Sequence, residues 1–589
     1  MLNRYIGSML ARFTMQRFNV LIISPLSKMA SVLFQRAMDN QLATSSTRSL
    51  LVRFWPWLVV AAILLFVGFI RVRLLEMPLE RDEGEYAYAG QLILQGIPPY
   101  ELAYNMKLPG TYYAYAAGMA IFGQTIAGVH LTLLVANALT IIFVFLLARK
   151  LFGIVAGLIA CASYGVMSLN PVVLGAAAHA NHFVVLFAVP ATLLLWKCGE
   201  SNERRTFFFT GLLYGMAFLM KQQGICFCLF GAVFLLWQAA QRNAVLNRSF
   251  LGNFLVFGSG MILPFAFFCL STVVAGDLKR FWFWTFIYAG SYEKSTSIAG
   301  GVDYLKMHLD EGFAISVGLW TLGIFGLPAA WLDKSSREQA AFALLFWLFS
   351  FFGAAMGFYF RAHYFILILP AFAVLLGMSV RSWQQYLQSK KTAVKLGSVP
   401  LILFVTLLGW NVFLSRDFLF QSSPIQLTQR IYTGNPFIES LIVAQYIREH
   451  SPTNALVAVV GSEPEIYFYA QRHSATGYIY TYALEETQPY ADKMQREMIS
   501  EIESNKPEYL VLVMYKLSWL LYQTSDFAVF RWFAPYSKEF YEPVGFVGIR
   551  PNGEGVSLWG NAAANHFHDP LEQVVVVYKR KDTAFDKIN

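Results

Sequence analysis

Apolar residues run almost unbroken through the first two thirds of the chain, interrupted only by short charged clusters. Between about Phe54 and Leu414 many of these runs approach the ~20 residues that carry a helix across a bilayer. Eleven read as crossing helices, near residues 54–70, 126–147, 154–169, 180–196, 206–220, 225–239, 251–275, 313–332, 339–358, 363–380 and 396–414. A further apolar stretch, residues 111–123, has only 13 residues and reads as interfacial or re-entrant. From Ser415 onward the apolar runs shorten and charges become regular. There Asn435 and Pro436 start a helix with an apolar stripe to Tyr446, and residues 487–504 predict a second helix. Residues 455–460, 509–514 and 574–578 predict strands, so this water-facing part is a small α/β layer. The expected fold class is therefore mainly α: a polytopic membrane helical bundle of about eleven transmembrane helices with a C-terminal α/β domain.

Charge sets the orientation. Only 14% of the residues are charged, against roughly 25% in an average soluble protein. Lys and Arg outnumber Asp and Glu by 45 to 36, yet they form no single patch of the kind that binds nucleic acid. They cluster in alternate connections instead: Arg149 and Lys150; Lys197, Arg204 and Arg205; Arg242 and Arg248; Arg381, Lys390, Lys391 and Lys395. If residues 111–123 do not cross, all of these fall inside, as the positive-inside rule requires. The first fifty residues carry six basic side chains against Asp39 alone, and they stay inside too, with an interfacial stretch around Val20 to Ile23. An odd number of crossings puts the tail outside. The expected domains are a cytoplasmic or interfacial segment 1–53, a membrane domain 54–414 with a first outer loop 71–125, and an extracytoplasmic domain 415–589. The five cysteines lie in or beside apolar runs and imply neither a disulfide framework nor a zinc site.

Candidate chemistry gathers on the outer face. The first outer loop carries Asp82, Glu83, Glu85, Glu101 and Lys107 among tyrosines, Tyr86 included, which suits the headgroup layer. His179, Asn181 and His182 lie at the mouth of one span, Lys221, Gln222 and Gln223 turn a hairpin, and Arg361, His363 and Tyr364 stand where two helices meet. Ionisable groups at membrane depth cost free energy unless they face a cavity or partner, which makes them functional candidates. The GSEP turn, Gly461 to Pro464, lacks the spacing of a phosphate loop.

The early DE pair resembles glycosyltransferase family 39, the protein O-mannosyltransferases and lipid A aminoarabinose transferases of GT-C fold. So, in the same order, do the KLPG element at Lys107, LARKLFG from Leu147, FLMKQQG from Phe218 and RAHYFILILPA from Arg361. The resemblance implies a membrane glycosyltransferase that moves a sugar from a polyprenyl-phosphate-linked donor to an acceptor hydroxyl on a glycan, lipid or protein. It implies Asp82 as the catalytic carboxylate with Glu83 beside it, and Lys107 as the basic residue of the family's KPP or HPP element. The chemistry of transfer from phosphate then assigns Asp82 as base, Glu83 as its orienting or acceptor-binding neighbour, and Lys107, Lys221 and Arg361 as clamps on the donor phosphate. Glu85, Tyr86, His179, His182, Gln222, His363 and Tyr364 remain as substrate-binding candidates. One carboxylate suffices for a single inverting displacement from phosphate, since the leaving group needs no strong acid. The family commonly shows an acid in the second outer loop, where this chain has His179, Asn181 and His182, so a divalent metal ion stays an open option without an assigned ligand set. The implied location is the cell inner membrane. A multi-pass transporter and a non-catalytic cell-envelope assembly protein are the alternatives. Against the transporter, the charges gather at one face, and no pair of broken helices marks inverted repeats.

Overall fold

A computed structural model describes residues 46–201, 203–293, 296–332, 336–389, 396–522, 524–550, 553–566 and 571–581. The expected inner segment up to residue 45, and Lys390, Lys391 and Lys395, lie outside the described residues. By internal contacts the chain forms two units, residues 1–62 and 63–589. Described residues 46–62 of the first are helical. The second holds all the chemistry discussed below, and it contains both residues 63–414 and the tail.

The protein is a multi-pass helical membrane protein. Among the described residues seven helices are long and apolar enough to cross a bilayer: Phe54–Arg73, Ile126–Phe152, Ala180–Glu200, Gln222–Gln241, Arg248–Ala275, Arg337–Phe358 and Leu396–Leu414. Two shorter apolar helices, Ile154–Met167 and Ser316–Trp331, fall on further expected crossings. The remaining two fall on Arg204–Met220 and on a 3₁₀ turn, Ala362–Leu367, running into Leu369–Ser389. The short stretch in the first outer loop forms a 13-residue helix, Gly110–Phe122, which is not among the seven.

Local chemistry explains where these elements begin and end. Thr125 caps Ile126–Phe152 by accepting the Gly128 N–H. Arg149 and Lys150 sit in its last turn, where cations meet the negative end of the helix dipole. Gly153 then adopts φ 89°, a left-handed conformation that favours glycine, and this allows Ile154–Met167 to start at once.

The tail is a six-stranded mixed sheet flanked by helices. Its strands are β1 Leu456–Val460, β2 His473–Ser474, β3 Tyr509–Met514, β4 Tyr541–Ile549, β5 Gly555–Trp559 and β6 Gln573–Arg580, in the order β2-β1-β3-β6-β4-β5. β1 pairs in parallel with β2 and β3, while β6 lies antiparallel to both β3 and β4. Buried valines and leucines of β1 and β3 alternate with their helices to make the core. A short helix, Pro424–Ile431, precedes the helix the sequence signals, which runs Phe437–His450 with Pro436 at its cap, one residue later than its signal, as Asn435 bonds the Tyr432 carbonyl.

The sheet's loops clasp the connection over residues 71–125. Arg81, itself buried, donates to the Ser462 carbonyl at 2.5 Å, the Tyr482 hydroxyl at 2.8 Å and Glu463 at 3.0 Å. Ser518 donates to the other Glu463 oxygen at 2.7 Å. The GSEP turn is thus a receptor for the residue beside Asp82. Gly84 packs so closely on Glu465 that a Cβ there would stand 2.6–2.8 Å from Glu465 atoms, backbone included. Backbone bonds from Leu79 to the Tyr469 hydroxyl (2.8 Å) and from Tyr104 to the Gly477 carbonyl (2.7 Å) complete the clasp.

Candidate active site

The helix Arg81–Leu94 begins the site, and its first turn sorts four carboxylates into different tasks. Glu80 and Glu83 close a capping box, each side chain accepting the other's backbone N–H, at 3.0 and 3.2 Å. Glu83 also accepts the Ala178 N–H at 2.5 Å and lies 3.2 Å from His130 Nε2. Burial pushes its carboxyl up, but His130 and these bonds outweigh burial and hold it below the usual range. Glu80 goes the other way: burial, then the neighbouring Asp82 and Glu83, push it well above the usual range.

Asp82 points into a cavity of about 400 Å³. Lys107 donates to its Oδ1 at 2.7 Å and to Glu85 Oε2 at 2.6 Å. Glu85 also accepts the Tyr112 hydroxyl at 2.6 Å and the Asn105 amide at 2.7 Å. Burial alone would raise the Asp82 carboxyl; Lys107 first, then His179 and Lys221, overcome it and hold Asp82 below the usual carboxylate range. Glu85 is raised, because burial outweighs Lys107 there. Asp82 is therefore the ionised carboxylate that faces the cavity.

Two other cations border the same space. Lys221 donates to Asn181 Oδ1 at 3.0 Å and lies 4.3 Å from the Tyr364 ring centre. Burial pulls its ammonium down to about 7, with Asp82 opposing. Arg361 stands 5.3 Å over the Tyr359 ring. Among the described residues neither has a carboxylate within 4.0 Å. Gln222, His179, His363 and Tyr364 also line the cavity, with Gln222 donating to the Met106 carbonyl at 2.6 Å.

Four sequence candidates lie elsewhere. Glu83 and Glu85 are buried beneath the cavity wall as ties, Tyr86 lies under the Lys107 ammonium at 4.6 Å, and His182 is buried among the helices. Glu85, three residues after Asp82, shares its side of the helix and is tied to it through Lys107, whereas Glu83, one residue on, turns toward His130 and the Ala178 N–H.

Asp82, His179 and His363 hold donor atoms within 4.8 Å of one another. The His179 and His363 rings stack face to face, centres 4.2 Å apart and planes 13° from parallel. Their in-plane lone pairs run side by side instead of converging on one ion. Burial keeps His179 down at about 4, hence neutral. The stacked rings present no converged ligand set for a metal ion.

Sequence reasoning missed a whole side of the cavity. Trp284, Tyr288 and Tyr292 line it from an aromatic run at residues 281–292, a density that was visible in sequence but points equally to packing. Tyr480, Tyr482 and Glu486 line it from the tail. Only their long-range placement distinguishes them.

Residues 107–290 match the family model described as dolichyl-phosphate-mannose-protein mannosyltransferase. The undecaprenyl phosphate-alpha-4-amino-4-deoxy-L-arabinose arabinosyl transferase of Pseudomonas aeruginosa (strain UCBPP-PA14) is 30% identical over 227 residues. That match covers 34% of this chain and 38% of the relative's length. Among solved structures, ArnT from Cupriavidus metallidurans bound to undecaprenyl phosphate aligns with TM-score 0.54 at 17% identity, over 78% of this chain and 93% of that one. The oligosaccharyltransferase AglB from Archaeoglobus fulgidus aligns with TM-score 0.50 at 12% identity, over 89% and 76%. In fold, then, the chain is GT-C, and over residues 107–290 its sequence matches the protein mannosyltransferase family model.

Proposed function

We propose that the protein transfers a glycosyl unit from a polyprenyl-phosphate-linked donor to an acceptor hydroxyl, with inversion, at the outer face of its membrane. One observation carries this reading: a single cavity holds an ionised carboxylate beside two cations that, among the described residues, have no carboxylate within 4.0 Å. Unpaired cations in a largely dehydrated wall favour an anionic ligand, and a phosphate leaving group gains charge as its glycosidic bond breaks. Lys221 and Arg361 receive that phosphate, Arg361 with a planar fork suited to two oxygens. Lys107 serves Asp82 first, keeping it ionised, and adds its field to the phosphate second.

Asp82 Oδ2 is left to accept the acceptor hydroxyl. Its low basicity suits a late transfer, in which the proton moves once the bond to phosphate is nearly broken and the attacking oxygen has become acidic. Glu83 acts through the capping box that fixes the helix. The 30% identical relative, named for transfer of a sugar from undecaprenyl phosphate, supports the same donor class. The acceptor is a glycan, lipid or protein, and membrane lipid is a standing partner.

The topology proposed with this chemistry has eleven crossings in the inner membrane, an inner segment 1–53, a membrane domain 54–414, and a tail 415–589 on the outer, extracytoplasmic face. Reporter fusions test it: those after Gln124 and Ser415 report outside, and those after Gly153 and Lys391 inside. A fusion after Ser415 that reports inside removes the outer-face assignment. Donor binding is tested with purified protein in nanodiscs and a short polyprenyl phosphate. The double substitution Lys221→Ala with Arg361→Ala weakens binding by roughly 100-fold or more, since each charged hydrogen bond is worth about 1.5–3 kcal/mol. Unchanged affinity in the double variant contradicts the phosphate assignment.

A further inference from the structure

The cavity contains a second carboxylate for which the transfer reaction has no use. Glu486, from the tail, lines it with Trp284, Tyr288, Tyr292, Tyr359 and Arg361. Its Oε2 accepts the Tyr288 hydroxyl at 2.6 Å. Among the described residues no Lys, Arg or His nitrogen stands within 4.0 Å of it. An ionised carboxylate has about four acceptor positions, so Glu486 keeps acceptor capacity for a ligand. Burial lifts its carboxyl to about 7, with the Tyr288 bond and the charge of Arg361 opposing.

The surroundings narrow what that ligand is. Residues Phe283–Tyr288 form a π-helical turn, a local widening often found at functional sites, with Trp284 and Tyr288 buried against each other at 5.2 Å. Tyr292 and Tyr359 stack face to face at 4.5 Å, and Arg361 lies over Tyr359. The wall thus offers one strong acceptor, phenol and guanidinium donors, and flat aromatic faces. A sugar ring has the matching pattern: hydroxyls on its edge that donate and accept, and C–H faces that lie on aromatic rings. An ammonium group on Glu486 would be attracted by the carboxylate but opposed by Arg361, whereas a hydroxyl donates to Glu486 without that opposition.

We propose that Glu486 and Tyr288 form a subsite that reads the hydroxyls of a neutral glycosyl unit, as opposed to an amino sugar. The identification of that unit as the donor's or the acceptor's sugar rests on the transferase reading; the subsite itself does not. A site built to hydrogen-bond a hydroxyl discriminates strongly against analogues that lack it, because its own polar group is left unpaired.

The test uses full-length protein in nanodiscs, methyl glycosides of neutral hexoses and pentoses, and their aminodeoxy counterparts, followed by saturation-transfer NMR. Wild type is expected to bind a neutral glycoside in preference to its aminodeoxy form, and E486Q to weaken it roughly 10- to 100-fold. Tyr288→Phe, which removes only the hydroxyl, gives a smaller loss in the same direction and serves if E486Q misfolds. Preference for the aminodeoxy sugars, equal binding in the variants, or no glycoside bound by folded wild type each overturns the proposal.

A second arm compares a neutral polyprenyl phosphate sugar with bare polyprenyl phosphate. Extra affinity for the sugar-linked form that disappears in E486Q assigns the subsite to the donor. Equal affinity for both, with glycoside binding retained when the lipid is present, assigns it to the acceptor. Glycoside binding without any polyprenyl phosphate binding keeps the subsite and rejects the donor reading.

Discussion

The loop of residues 71–125 and the later helix junctions handle their cations in different ways. In the loop, Lys107 is divided between Asp82 and Glu85 at 2.7 and 2.6 Å, and its charge is met before any ligand arrives. At the junctions, Lys221 has an asparagine oxygen and a tyrosine ring, and Arg361 stands over another ring. A buried ion pair satisfied by extra hydrogen bonds holds its own geometry, whereas a dehydrated cation without a counter-charge gains most when an anion binds. In the proposed reaction the loop side orients and the junction side holds the phosphate. The contrast also separates effects on turnover from effects on donor affinity.

The largest expected effect breaks the loop side. Asp82→Asn keeps size and some hydrogen bonding but removes the proton acceptor, so transfer falls by about 10²- to 10⁴-fold while polyprenyl phosphate still binds. Near-normal transfer in folded protein would remove Asp82 from the chemistry.

Next in size is the support behind it. Glu463→Ala strands the buried Arg81 guanidinium, and breaking such a pair costs about 3–5 kcal/mol. A lower melting temperature and reduced turnover are expected together, since Arg81 precedes Asp82 on the same helix. A loss of stability with turnover per folded molecule unchanged would show that the clasp does not position the site.

The smallest effect sharpens the junction side. Lys221 is an ammonium below about 7 and neutral above it, so kcat/KM for the donor falls as pH rises through about 7, by roughly tenfold before levelling. The kcat at saturating donor stays flat, because bound phosphate raises the Lys221 pKa. Lys221→Arg stays charged and flattens the kcat/KM profile. A pH profile identical in wild type and Lys221→Arg would take Lys221 off the phosphate.

How much of this was legible in sequence follows from the range of each interaction. The apolar runs name their helices because crossing a membrane is a local, length-limited requirement. β3 falls where its apolar run ends, at Tyr509–Met514, while β4 and β5 escaped notice because glycine and exposed polar residues blur their alternation. Asp82, Lys107, Lys221 and Arg361 were found because charges beside membrane-length runs stand out. Arg81 and Glu463 did not, since a pair 382 positions apart leaves no local trace. Glu83 and Glu85 read as chemistry from their acidity, and only their long-range partners, His130 and Ala178 for one and Tyr112 and Lys107 for the other, show them used as ties. Glu486 lies beside Glu485 in an ordinary polar stretch, with nothing in its neighbours to set it apart.

The most direct test of the central claim follows release of free polyprenyl phosphate. Purified protein is incubated with a panel of polyprenyl phosphate sugars, with and without a mixture of envelope glycans, lipids and proteins as acceptors. At least one donor is expected to release polyprenyl phosphate faster with acceptor present, with the sugar recovered on the acceptor in inverted configuration and both signals lost in Asp82→Asn. Folded protein that binds the donors but releases no polyprenyl phosphate above the Asp82→Asn background, whatever the acceptor, would contradict the account.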